Sequence, residues 1–117
     1  MTTEPLVVLL VEDDDAIREI SAMILEGAGH TVHTAANGDA AERWLEENDK
    51  PDVLFTDVRM PGSLSGQQLA EKHSDMRVLV TSGEMREQHD WVRPPMEYLA
   101  KPYDRKTLLA TIASLAH

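Results

Sequence analysis

The chain has 117 residues, 42% of them hydrophobic and none of them cysteine, so it has room for one packed domain but no disulfide or thiolate site. Its formal net charge of -10 disfavours binding to nucleic acid and to anionic membrane surfaces, which attract basic proteins. The longest apolar run, residues 6–11, is far shorter than the roughly 20 residues of a membrane-spanning helix. Because no basic leader precedes this run, we expect a cytoplasmic location.

The first half of the chain predicts three strands and two helices. Residues 6–11 are wholly apolar, as in a strand that is buried on both faces of a parallel sheet. Apolar residues then recur at helical spacing until two glycines end the helix. Residues 31–35 predict a second strand, and a helix with an apolar stripe that includes Trp44 follows it. The third strand is predicted over residues 53–56 and ends at Asp57.

The second half of the chain predicts two more strands and three helices. Residues 67–73 predict a short helix and residues 78–81 a fourth strand. Residues 84–91 predict a short, weak helix that two prolines end. Residues 98–100 predict the fifth strand, and Asp104 caps a last helix. Strands that alternate with helices in this way indicate a parallel sheet with helices on both faces.

Charged and hydroxyl side chains follow four of the five predicted strands. Glu12 and Asp13 end the first strand, Asp57 the third, Ser82 the fourth and Lys101 the fifth. In an open parallel sheet, ligands bind outside the carboxyl ends of the strands. We therefore expect these five side chains to converge at one edge of the sheet.

Three carboxylates in one pocket repel one another. At about 5 Å and an effective dielectric constant of about 20, each pair of charges costs roughly 3 kcal/mol. A divalent cation removes that cost, and oxygen ligands suit Mg²⁺ in particular. A carboxylate such as Asp57 can attack phosphorus, as in enzymes that form an aspartyl phosphate. Mg²⁺ and Lys101 would stabilise the charge on the phosphoryl oxygens.

Four segments of the chain resemble the bacterial receiver domains of response regulators. They are LLVEDD at residues 9–14, PDVLFTDVRMPG at 51–62, VLVTSG at 78–83 and YLAKPY at 98–103. Because all four occur in order at predicted strand ends, residues 1–117 are interpreted as a single receiver domain. The resemblance implies a flavodoxin-like (βα)5 three-layer sandwich, with a parallel five-stranded sheet in the order 2-1-3-4-5.

The resemblance also implies a phosphorylation site that depends on Mg²⁺. Asp57 corresponds to the phosphoacceptor and Asp13 to a direct metal ligand. Glu12 corresponds to a ligand that acts through water, and the main-chain carbonyl of Arg59 to a further ligand. The phosphodonor in this family is a phosphohistidine on a sensor histidine kinase or a histidine phosphotransfer protein. We expect no enzymatic activity apart from the chain's own phosphotransfer and autodephosphorylation.

Three further residues correspond to the switch of the family. Ser82 corresponds to the hydroxyl that turns toward the phosphoryl group, and Lys101 to the salt-bridge partner of that group. Tyr98 corresponds to the aromatic residue that changes rotamer when Ser82 moves. The resemblance therefore predicts that phosphorylation signals to a downstream protein partner through a change of conformation.

Several residues also fit structural roles. Asp14 and Asp15 fit the cap and first turn of a helix better than they fit metal ligands. Ser82 fits a hydrogen bond to the neighbouring loop, and Tyr98 fits ordinary core packing. Trp91 fits an interface and a core position equally well. The five histidines are scattered along the chain and indicate no ligand set.

Other functions fit the sequence less well. A phosphatase of the haloacid-dehalogenase type needs a second aspartate two residues after the first, where this chain has Arg59. No glycine-rich loop ending in Gly-Lys-Ser or Gly-Lys-Thr is present, which excludes a P-loop nucleotide site. A receiver-like module that binds partners without phosphorylation remains the alternative. The unusual residues 63–65, the short third helix and the polar fourth helix leave the choice of partner open.

Overall fold

A computed structural model describes residues 5–60 and 62–116. One sheet of five parallel strands has the order β2-β1-β3-β4-β5, which confirms the predicted topology. The strands are β1 (Val7–Val11), β2 (Thr31–Ala35), β3 (Val53–Asp57), β4 (Arg77–Ser82) and β5 (Glu97–Ala100). Residue 61, which belongs to one of the segments that carry the resemblance, lies outside the described residues.

Four α-helices connect or follow these strands, and a side chain caps the start of each one. The helices are α1 (Asp15–Gly27), α2 (Gly38–Glu47), α3 (Gly66–Lys72) and α4 (Arg105–Leu115). The capping residues accept hydrogen bonds from first-turn N–H groups and are Asp14, Asn37, Ser65 and Asp104. Asp14 and Asp15 thus have the structural roles that the sequence indicated. The predicted short third helix is confirmed as the seven-residue α3.

The predicted helix over residues 84–91 is wrong. The structure has a single 3₁₀ turn there, Arg86–Gln88, in which no residue is buried. A surface helix is held by an apolar stripe that packs against the core, and this segment lacks one. Its one large apolar residue before the turn, Met85, is 68% exposed. The connection from β4 to β5 is therefore mostly irregular.

The two faces of the sheet carry separate apolar cores. On one face, Leu9 and Leu54 pack with residues of α2 and α3, including Leu69. On the other face, Leu10 and Phe55 pack with residues of α1 and α4. The alternation of side chains along each strand produces this division. The helices therefore cover both faces of the sheet, as a three-layer sandwich requires, and leave its carboxyl edge to the loops.

The helices that the structure describes include none that is both long and apolar enough to cross a bilayer. Trp91 is partly buried against the core on the α2 and α3 face, which places it at a core margin.

Candidate functional site

The three predicted carboxylates lie together at the carboxyl edge of the sheet. Strands β1 and β3 are neighbours, with Val11 opposite Thr56, so the residues that follow each of them are adjacent. One carboxylate oxygen from each of Glu12, Asp13 and Asp57 lies within 4.8 Å of the others. Glu12 and Asp57 are buried, whereas Asp13 is exposed. The expected acidic cluster is therefore present in the described structure.

Lys101 joins this cluster from the far side of β4. Its Nζ lies 2.7 Å from Glu12 Oε1 and 3.0 Å from Asp57 Oδ2. Burial lowers the pKa of Lys101, but its close contacts and charge interactions with Glu12 and Asp57 outweigh burial, so the pKa is raised. The ammonium group is therefore a permanent positive charge between two buried carboxylates.

Glu12 is the most deeply buried carboxylate of the cluster. Burial raises its pKa to about 7, although Lys101 and the N–H of Asp14 act in the opposite direction. Its Oε2 accepts the N–H of Asp14 at 3.2 Å. Among the described residues, Oε1 has the ion pair with Lys101 but makes no hydrogen bond of good geometry. Three carboxylates against the ammonium group of Lys101 leave the cluster with an excess of negative charge, which fits a Mg²⁺ ion and its water ligands.

The backbone around Asp57 fixes the direction of its side chain. Asp57 Oδ1 accepts the N–H of Val58 at 2.8 Å, and Oδ2 accepts from Lys101. Gly66 packs directly on the main chain here, because a Cβ at that position would lie 1.7 Å from the carbonyl oxygen of Asp57. Gly66 also donates its N–H to the carbonyl of Val58 at 2.9 Å. The first residue of α3 thus packs against the last residue of β3.

A bidentate ion pair joins Arg59, in the loop after β3, to Glu84, in the loop after β4. Arg59 Nε lies 2.7 Å from Glu84 Oε1, and Arg59 Nη2 lies 3.0 Å from Glu84 Oε2. A hydrogen bond from Arg59 lowers the pKa of Glu84. The pair ties the loop after β3 to the loop after β4. The role of the Arg59 carbonyl as a metal ligand stays a prediction.

The side chains of Ser82 and Tyr98 both form hydrogen bonds to the backbone of Glu84. The buried Ser82 Oγ accepts the N–H of Glu84 at 3.0 Å, so the local hydrogen bond that the sequence suggested is present. Tyr98 is half-buried, and its hydroxyl donates a short hydrogen bond to the carbonyl of Glu84. The two predicted switch residues are therefore connected through one residue. Their movement on phosphorylation stays a prediction.

His89 is a site residue that sequence reasoning missed. It is 4% exposed, and its Nε2 lies 3.1 Å from Ser82 Oγ and 3.3 Å from Glu84 Oε1. The sequence placed His89 on a weak helix, where its direction was unspecified. The irregular path after the 3₁₀ turn brings it back against Ser82, and no local motif marks that path.

Comparison with known proteins identifies the family. The sequence profile of the response regulator receiver domain matches residues 8–113. Sensor kinase CckA of Brucella abortus is 33% identical over 115 residues, which are 92% of this chain but 12% of that protein. NtrC of Azospirillum brasilense is 31% identical over 90% of this chain and 23% of its own length. The chain therefore spans less than a quarter of these two relatives.

Shorter proteins match along most of their length. Protein PilH of Pseudomonas aeruginosa is 33% identical over 90% of this chain and 93% of its own. The crystal structure of the CckA receiver domain has a TM-score of 0.79 at 31% identity, covering 95% of this chain and 99% of that one. The chemotaxis regulator CheY4 of Vibrio cholerae has a TM-score of 0.81 at 27% identity, covering 95% and 98%. The chain belongs to the response regulator receiver domain family.

Proposed function

We propose that this chain is a response regulator receiver domain that accepts a phosphoryl group from a phosphohistidine onto Asp57. The reaction depends on Mg²⁺, and phosphorylation changes the conformation that a downstream protein partner recognises. One observation carries this proposal: Glu12, Asp13 and Asp57 lie within 4.8 Å of one another, and Lys101 contacts two of them.

The chemistry follows from the surroundings of Asp57. A carboxylate oxygen of Asp57 attacks phosphorus, and the phosphorus–nitrogen bond of the phosphohistidine breaks. The electron pair of that bond leaves with the donor's imidazole. Val58 N–H and Lys101 hold the two oxygens of Asp57, so the attacking group keeps one orientation. Lys101 then pairs with the negative charge of the phosphoryl group.

Mg²⁺ supplies positive charge that offsets the repulsion among the carboxylates and the phosphoryl oxygens. Asp13 is the exposed carboxylate of the cluster and fits a direct ligand, while Asp57 contributes a second carboxylate. Glu12 is buried and fits contact through water. The family resemblance implied these roles, and they remain part of the proposal.

The proposal is tested by intact mass after incubation with acetyl phosphate and Mg²⁺. Wild-type protein should gain one phosphoryl unit, and Asp57→Asn should gain none. Asp49→Asn is the matched control, because Asp49 is an exposed aspartate after α2 and outside the cluster. Equal labelling of Asp57→Asn and wild type would contradict the assignment of the acceptor.

A protein phosphodonor has an apolar surface available beside the site. A groove of about 220 Å³ lies between α1 and the loop after β5, and Lys101 forms part of its wall. Ile20 is 57% exposed beside this groove, and Met23 on the same helix is 63% exposed. Because Lys101 contacts Asp57, a protein that brings a phosphohistidine to Asp57 would cover this groove. Ile20→Glu should slow transfer from a protein donor and leave labelling by acetyl phosphate unchanged.

The alternative function is a receiver-like module that binds partners without phosphorylation. Lys101 already pairs with both buried carboxylates, so the cluster is partly neutralised by the protein itself. This alternative predicts no mass increase in the wild type. The acetyl phosphate assay therefore separates the two functions.

A further inference from the structure

His89 is a buried histidine that touches the proposed switch but belongs to neither the carboxylate cluster nor the metal site. Its Nε2 lies 3.1 Å from Ser82 Oγ and 3.3 Å from Glu84 Oε1. The centre of its ring lies 6.0 Å from the ring of Tyr98. His89 therefore contacts both side chains whose movement the proposed switch requires.

The contact with His89 fixes one rotamer of Ser82. In this rotamer the hydroxyl also accepts the N–H of Glu84 at 3.0 Å. Rotation to either of the other staggered χ1 positions moves Oγ by roughly 2.5 Å and breaks both hydrogen bonds. A serine hydroxyl both donates and accepts, so the bond to Nε2 forms with either tautomer of the imidazole.

We propose that His89 is a positioning residue that holds Ser82 in this rotamer and so opposes capture of a phosphoryl group at Asp57. The inference rests on the proposed function and adds a regulatory residue to it. A bond that exists in only one of two states shifts their equilibrium by its own net strength. For an ordinary hydrogen bond the shift is about fivefold, which corresponds to about 1 kcal/mol.

Two substitutions separate this role from simple packing. His89→Phe keeps an aromatic ring of similar size against Tyr98 but removes the hydrogen bond to Ser82. His89→Gln places an amide at a similar reach and can restore the bond. The probe is beryllofluoride with Mg²⁺, which mimics a phosphoryl group on a carboxylate, and its affinity is measured by titration calorimetry.

We expect His89→Phe to bind beryllofluoride about fivefold more tightly than the wild type, and His89→Gln to bind within about twofold of it. In a Ser82→Ala background, His89→Phe should bind no more tightly than its parent. Mg²⁺ alone should bind the single variants and the wild type equally, because the carboxylates are unchanged. An unchanged or weaker affinity in His89→Phe overturns the inference, as does an equal gain in the Ser82→Ala background.

A measurement on the wild type covers the case in which His89→Phe does not fold. Nuclear magnetic resonance correlations of ¹⁵N-labelled histidine report the hydrogen bonding of each ring nitrogen. The Nε2 signal of His89 should shift when beryllofluoride is added, and that of His73, which pairs with Glu42 away from Ser82, should not. A static His89 signal at saturating beryllofluoride overturns the inference while the proposed function stands. Failure of the wild type to bind beryllofluoride, or to be labelled by acetyl phosphate, overturns both.

Discussion

Glu12 should make the free protein less stable as the pH rises, and Glu12→Gln should remove this effect. The folded state raises the pKa of Glu12 from 4.5 to about 7, chiefly by burial. Between these two values the folded chain binds more protons than the unfolded chain, so the free energy of unfolding falls as pH increases. At 1.36 kcal/mol per tenfold change in proton affinity, the full loss is roughly 3 kcal/mol. Screening by solvent at the edge of the site reduces it to about 1–2 kcal/mol.

The assay is urea unfolding in chelator at intervals from pH 5 to pH 8.5. Relative to the wild type, Glu12→Gln should gain about 1–2 kcal/mol across this range, although most substitutions destabilise a protein. Glu19→Gln, at an exposed position on α1, is the matched control and should run parallel to the wild type. A constant difference between Glu12→Gln and wild type would show that Glu12 does not titrate in this range.

Three further predictions concern the surroundings of Asp57. Asp13→Asn should melt slightly above the wild type in chelator, because it removes one repelling charge. Millimolar Mg²⁺ should raise its melting temperature less than that of the wild type, because the variant has lost one ligand. A lower melting temperature in chelator with an equal rise on adding Mg²⁺ would contradict a shared site. Gly66→Ala should lower both the melting temperature and the rate of labelling by acetyl phosphate, since its Cβ would overlap the carbonyl oxygen of Asp57 at 1.7 Å. A melting temperature and a labelling rate equal to those of the wild type would show that this close packing is not needed. Arg59→Ala should leave the melting temperature nearly unchanged, because the ion pair to Glu84 is exposed, but should speed loss of the phosphoryl mass by opening a path for water.

The sequence predicted the sheet because each strand has a local signal. The wholly apolar run that contains Leu9 and Leu10 is typical of a strand that is buried on both faces, and both residues are at most 1% exposed. The end of the first strand could also be predicted from the sequence, since its apolar run stops at the charged residue Glu12. The parallel arrangement then brings separate strand ends to one edge, so the convergence of Glu12, Asp57 and Lys101 followed from topology.

The connection from β4 to β5 was not predictable in the same way. Residues 84–88 are good helix formers, but they carry no apolar stripe that could pack against the core, and the two buried residues, His89 and Val92, both follow the 3₁₀ turn. Their positions depend on contacts with Ser82 and with the core that only the folded chain provides. The raised pKa of Glu12 could not be predicted from the sequence either, because it comes from burial in the folded chain rather than from any motif.

The described residues between β4 and β5 form no α-helix. This difference affects how a phosphorylation signal would leave the site. A helix moves as a rigid unit, because its backbone hydrogen bonds are internal. Here the segment after Ser82 is held instead by side chains: Tyr98 binds the Glu84 carbonyl, Arg59 binds the Glu84 carboxylate, and His89 binds Ser82. Reorientation of Ser82 breaks its hydrogen bonds to His89 and to the N–H of Glu84, so the response should be a local rearrangement of the loop. Amide shifts on addition of beryllofluoride should therefore concentrate between residues 82 and 98, and shifts confined to the loop after β3 would argue against this coupling.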